Sequence, residues 1–175
     1  MLKTLGILIV VAIAVVLVLA FMKPENFVVV RSATINASPE KIAPFINDFH
    51  NWNAWSPWAK LDPNMKTTYS GPDSGVGSVY EWEGNSKVGK GRMEIQSVQP
   101  AKTSIKLDFL KPFEGHNTAD FVFEPQGSAT RVTWVMYGPL AFFPGKLMSV
   151  FVSMDKMIGG DFDKGLADLK TAAEK

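Results

Sequence analysis

Residues 147–169, LMSVFVSMDKMIGGDFDKGLADL, place Leu147, Phe151, Met154, Ile158, Phe162, Leu166 and Leu169 at steps of 4, 3, 4, 4, 4 and 3. That spacing is the apolar stripe of one long amphipathic helix, and such a stripe must be buried against another element. The chain just before it supplies the partner. From Lys66 to Tyr137, apolar and polar residues alternate between turn signals such as Pro72-Asp73-Ser74-Gly75, Gly84-Asn85 and Gln126-Gly127-Ser128. This pattern predicts about six antiparallel strands in a meander. An antiparallel sheet has one face to bury, and only the terminal helix is long enough to cover it.

Upstream, Phe27–Ile35 (FVVVRSATI) is rich in β-branched residues and reads as a further strand, which makes about seven. Ser38-Pro39-Glu40 supplies an N-cap hydroxyl, a proline for the first helical position and an early acid, so a short helix is expected through Ile46. A second short helical segment is expected around Asn51–Trp55, ending near Pro57. The fold class is therefore α+β. The glycines Gly159, Gly160 and Gly165 each cost about 1 kcal/mol in a helix relative to alanine, so they serve either close contact with the sheet or space for a ligand.

The amino terminus is of another kind. Leu5–Met22, LGILIVVAIAVVLVLAFM, carries no charge, amide or hydroxyl and is flanked by Lys3 and by Lys23-Pro24. A helix needs roughly 17–25 such residues to cross the hydrocarbon core. Residues 1–23 are thus expected to form a transmembrane anchor, and 24–175 one soluble domain. The competing reading is a secretory signal cleaved after Ala20, but the apolar run continues through Phe21 and Met22. Lys3 and Lys23 nearly balance the positive-inside count. The two-residue tail before Lys3 fits a signal-anchor whose tail stays inside, with a single pass and an extracytoplasmic domain.

Removing Lys3 and Lys23 from the 18 basic residues leaves 16 against 17 acidic ones, so the domain is close to neutral and nothing suggests nucleic acid. With no cysteine there is neither a disulfide framework nor a thiol nucleophile. Two histidines without ligand spacing offer no metal site, and no cofactor is implied. Residues 84–91, GNSKVGKG, approach a phosphate-binding loop, but Gly91 stands where Ser or Thr should hold magnesium and a strand follows where a helix must open.

The element order, the tryptophan-rich HNWNAWSPW at 50–58, the strand TRVTWVMYG at 130–138 and the ending MIGGDFDKGLADLK at 157–170 together resemble the START-like helix-grip superfamily (SRPBCC), in particular its polyketide cyclase/dehydrase-like branch. The resemblance covers roughly residues 27 to 173. It implies a curved sheet gripping the C-terminal helix around a hydrophobic cavity for lipids, sterols, polyketides or other apolar molecules. The superfamily includes enzymes, carriers and binding modules, so the fold does not name the function.

Strand alternation gives the cavity wall independently. With charged residues turned outward, the inner face carries Tyr80 and Trp82; Met93 and Ile95; Ile105, Leu107 and Phe109; Ala119, Phe121 and Phe123; then Val132, Trp134 and Met136. From these, Tyr80, Trp82, Met93, Ile95, Leu107, Phe109, Phe121, Phe123, Trp134 and Met136, with Phe151, Met154 and Ile158 of the helix, are the expected ligand-binding residues. None titrates near neutral pH, so no catalytic residue is assigned.

The leading expectation is a membrane-anchored domain that binds a hydrophobic small molecule or lipid without chemistry of its own. The alternative is a cyclase or dehydrase using Tyr80, His116 or Tyr137 for proton transfer, which requires two of them within about 3 Å of one substrate position. A third reading is an interaction module with a vestigial cavity, favoured by a volume below roughly 300 Å³. Two features stay open. Trp52, Trp55 and Trp58 either cage a quaternary ammonium or pack the small helices on the sheet. The loop Gly138–Gly145, with Phe142 and Phe143 between glycine-proline hinges, is a lid, a bilayer contact or a satellite apolar cluster.

Overall fold

The computed structural model describes residues 2–175. Helix α1 (Leu2–Phe21) is followed by strand β1 (Asn26–Ile35), helix α2 (Pro39–Asn47) and a 3₁₀ segment (Phe49–Ala54). Strands β2 (Lys66–Ser70), β3 (Val79–Glu83), β4 (Lys90–Gln99), β5 (Lys102–Lys111), β6 (Gly115–Gln126) and β7 (Ala129–Pro139) come next, and helix α3 (Met154–Ala173) closes the chain. All seven strands form one antiparallel sheet in the order β1-β7-β6-β5-β4-β3-β2. β2 to β7 form the meander, and β1 joins it by pairing Asn26–Ile35 against Thr130–Pro139. The curved sheet around a terminal helix is the helix-grip architecture.

The alternation sets the two faces. Val29, Ile95, Ile105, Phe121, Phe123 and Val132 are buried inside together with Phe162, Leu166 and Leu169 of α3. α3 lies mainly across β1 and also touches β7. Arg31 of β1 clamps it, donating to Asp155 at 2.7 and 3.1 Å and to Asp163 at 3.1 Å, and these carboxylates hold its guanidinium above its ordinary pKa. The guanidinium lies where a side chain on Gly159 would project, while a Cβ on Gly165 would sit 3.0 Å from Trp134 and 3.1 Å from Pro57. These two glycines serve close approach; Gly160 faces open space.

The helix does not begin at Leu147. Ser153 has an extended backbone (φ −75°, ψ 154°) and accepts from the Lys156 amide, so it caps a helix starting at Met154. Leu147–Ser149 is a separate helical turn, preceded by a wide turn over Phe142–Lys146. The first part of the apolar stripe therefore leaves the helix axis, and Phe151 is 73% exposed. A smaller departure occurs at Ser38, which has the extended cap backbone but makes no side-chain cap bond. Residues 84–89 form a tight turn between β3 and β4, closed by the Gly84 amide on Gly89 O at 2.9 Å.

The register places both termini of the elements that matter at one end of the sheet. β3, β5 and β7 finish there and β1 starts there, with Asn26 opposite Pro139. α1 arrives at this same end and packs its last turns against Phe142–Ser149, with Ala20 fully buried and Val16 half-buried one turn earlier. Among the described residues, Lys3–Phe21 is the one helix long and apolar enough to cross a membrane, with mean hydropathy 3.2. A single span and a signal sequence both meet that description.

Candidate functional site

Between the inner sheet face, the first half of α3 and the segment after the 3₁₀ turn lies a cavity of about 220 Å³. The strands contribute Tyr80, Trp82, Met93, Leu107, Phe109, Ala119, Trp134 and Met136, and α3 contributes Met154, Ile158 and Phe162. Nine of the thirteen expected binding residues thus line this cavity, seven from the sheet and two from α3. Four are not. Ile95, Phe121 and Phe123 share the inner face but are sealed in the core, where α3 and the small helices cover the sheet directly. Phe151 lies before the Ser153 cap and points into solvent.

The rest of the lining comes from residues that the strand pattern does not reveal: Trp52, Asn53, Ser56, Trp58, Ala59, Met65, Lys87 and Val88. For the tryptophan segment the signal is the three-residue repeat Trp52, Trp55, Trp58, of which Trp52 lies in the 3₁₀ segment and Trp55 and Trp58 in the turns that follow it. Trp52 Nε1 donates to Ile46 O at 3.0 Å and Trp55 Nε1 to Phe45 O at 2.8 Å, so both rings are fixed by α2. Trp55 then packs edge-on against Phe121 and Trp134, and Trp58 against Trp134 and Phe162. Trp55 is enclosed on all sides and has the packing role, while Trp52 and Trp58 pack on their neighbours and also line the cavity.

Trp134 is the centre of this cluster, stacked on Phe162 at 4.0 Å with 12° between planes. Its Nε1 is the one buried side-chain nitrogen or oxygen without a hydrogen-bond partner among the described residues. An unpaired buried donor costs about 1–3 kcal/mol, which the surrounding aromatic contacts must offset.

The polar groups that reach the cavity are few. Burial pushes the Tyr80 phenol up to about 12, with Tyr69 adding to the rise, so Tyr80 keeps its proton at neutral pH. Lys87 and Asn53 sit at the exposed rim. The three groups of the proton-transfer scheme do not converge. Tyr80 lies on the inner face, whereas His116 and Tyr137 project from the outer face. His116 Nδ1 contacts Asp108 Oδ1 at 2.7 Å, on the outer surface. His50 stacks on Tyr69 at 4.1 Å and contacts Asp48, a packing and capping role. Among the described residues there is no cluster of His, Asp or Glu fit to hold a metal ion.

A family described as polyketide cyclase / dehydrase and lipid transport matches residues 26–174. Solved structures share the fold at low identity. A protein from Chromobacterium violaceum is 14% identical, with a TM-score of 0.57 over 87% of this chain and 99% of its own. One from Rhizobium leguminosarum is 10% identical, with a TM-score of 0.61 over 86% and 95%. One from Mycobacterium smegmatis is 17% identical, with a TM-score of 0.56 over 83% and 89%. Comparison with curated proteins gives no match. An apolar cavity gripped between a seven-stranded sheet and a terminal helix, in a chain matched from residue 26 to residue 174, places this protein in the polyketide cyclase / dehydrase and lipid transport family of the START-like (SRPBCC) superfamily.

Proposed function

We infer that residues 24–175 form a domain that binds one small apolar molecule, or a single hydrocarbon chain of a larger one, and that residues 1–23 tether it to a membrane. The observation that carries this reading is the lining: Met93, Leu107, Phe109, Met136, Met154 and Ile158 enclose a space with only Tyr80, Ser56, Asn53 and Lys87 as polar neighbours. Burying apolar ligand surface in such a site contributes about 25 cal/mol per Å². Size narrows the class. About 220 Å³ exceeds the roughly 150 Å³ that accepts benzene in an engineered core, yet falls below the roughly 300–1,000 Å³ of drug-sized sites. A whole two-chain lipid does not fit; a chain end or a compact ring system does.

The volume below roughly 300 Å³ also favours a second reading, an interaction module whose cavity carries no ligand. One substitution separates the two. Ala119 lines the cavity between Ile105 and Met136 on neighbouring strands, so Ala119→Leu fills space without touching the rim. The full chain and the variant, purified in the same lipid nanodiscs, would be extracted and analysed by mass spectrometry. An apolar molecule held in stoichiometric amount by the wild type and depleted in Ala119→Leu is expected, with stability kept within about 1 kcal/mol because a cavity is filled. Equal extracts from both proteins would support the interaction module instead.

A further inference from the structure

We propose that the cavity end of the domain is itself a bilayer-docking surface, built by the segment Gly138–Ser153 and the β5–β6 turn, which seats the cavity mouth in the lipid interface. This rests on the membrane anchor inferred above and adds to it the face that the domain presents. Three observations carry it. Phe113, Phe142, Phe143, Met148, Phe151 and Val152 are all exposed, and Phe143 and Phe151 are 70% and 73% exposed. Phe113 meets Phe143 edge-on at 6.4 Å, so the turn and the segment form one surface. A soluble protein gains nothing by exposing six large apolar side chains at one end.

The second observation is charge. Residues 138–153, GPLAFFPGKLMSVFVS, contain a single ionisable side chain, Lys146. Its side chain is buried, and its ammonium is paired with the Glu25 carboxylate at 2.6 Å. The outward surface of this segment therefore carries no charge of its own to be stripped of water on contact with lipid, and the charges at this end, Glu25 beside Lys146 and Lys111 and Glu114 at the β5–β6 turn, form its rim at the level of the headgroups.

Depth is the third. α1 packs against Phe142–Ser149 along Val16 to Ala20, not only at its last residue. Four residues of helix are about 6 Å, so a bilayer that covers α1 up to its end also covers this segment to about the 5–10 Å depth of interfacial insertion. The linker gives no slack, since the Leu140 amide donates to Glu25 O at 2.7 Å. Val88 and Met154 of the cavity lining lie at this end, as does the rim residue Lys87, which puts the cavity mouth beside the docked surface.

The chain has no cysteine, so single-cysteine variants can be labelled uniquely. Phe113→Cys, Phe143→Cys and Phe151→Cys, with Val76→Cys at the opposite end of the sheet and Val11→Cys within α1, would carry a fluorescent label. The full chain would be reconstituted in vesicles of phosphatidylcholine and phosphatidylglycerol. Each label would be quenched by aqueous iodide and, separately, by doxyl-labelled lipid. We expect several-fold weaker iodide quenching and clear doxyl quenching at 113, 143 and 151, and the reverse at 76. If position 11 is in lipid while 113, 143 and 151 respond like 76, the docking surface is overturned and the anchor stands. If position 11 is also in water, the anchor reading itself is overturned. Intrinsic tryptophan emission matching the wild type shows that each variant has folded.

Discussion

His116 and Asp108 face each other across β5 and β6 on the outer side of the sheet, and Lys106 and Glu114 flank them. Burial works against the charged form of Asp108, but hydrogen bonds from His116 and Lys106 outweigh it and hold the carboxyl below its ordinary range. Its hydrogen bond to Asp108 in turn holds the His116 imidazole above its ordinary value. A histidine raised in the folded state stabilises most below its unfolded pKa of about 6.5, and that contribution is lost as pH rises through the folded value. The melting temperature should therefore fall between about pH 6 and pH 9 in the wild type, with a visibly flatter profile in His116→Gln. Thermal unfolding at both ends of that range checks this; identical slopes would mean that the pair carries no pH-linked stability. Nothing in the sequence marks this pair, because cross-strand register, not spacing along the chain, brings residues 108 and 116 together.

Strands and helices differ in how openly the sequence declares them. Period-two alternation separates Met93, Leu107 and Met136 from the charged face correctly because a one-residue error would expose every apolar side chain. The same rule cannot tell Met93, which lines the cavity, from Ile95, which is sealed: both lie on one face of β4, and only the placement of α3 and the tryptophan segment divides them. For the terminal helix, periodicity runs through Ser153 without a break, yet the serine caps the helix and releases Phe151 to the surface. The glycines of α3 make this element testable. Gly160→Ala meets open space and should stabilise by about 0.5–1 kcal/mol through helix propensity. Gly165→Ala should destabilise by about 1–2 kcal/mol, because crowding Trp134 and Pro57 outweighs the same propensity gain. Denaturant unfolding of the two variants should move the midpoint in opposite directions.

At the scale of the molecule, the question is what makes helix α1 and the domain one body. The Lys146 side chain is almost fully buried, whereas its partner Glu25 is largely exposed, so the two ends of this ion pair are unequal. The Glu25 carboxyl is held below its ordinary value by the hydrogen bond and charge of Lys146. A carboxylate lowered on folding stabilises above its unfolded pKa of about 4.3, and that contribution is lost as pH falls through the lower folded value. Removing the glutamate leaves a buried cation unpaired; removing the lysine leaves an exposed carboxylate that water can solvate. Glu25→Gln should therefore lower the melting temperature of the full chain in nanodiscs more than Lys146→Met, which replaces the buried ammonium with an apolar group of similar length. The same asymmetry should appear in the seating of the domain. In Glu25→Gln the unpaired Lys146 ammonium has to reach water, which lifts the segment Phe142–Ser149 and makes a label at position 143 more accessible to aqueous iodide, while in Lys146→Met the apolar side chain stays inside and the label stays shielded. Equal accessibility in both variants would assign the coupling to the apolar contact between Ala20 and the 142–149 segment, with the ion pair contributing nothing to it.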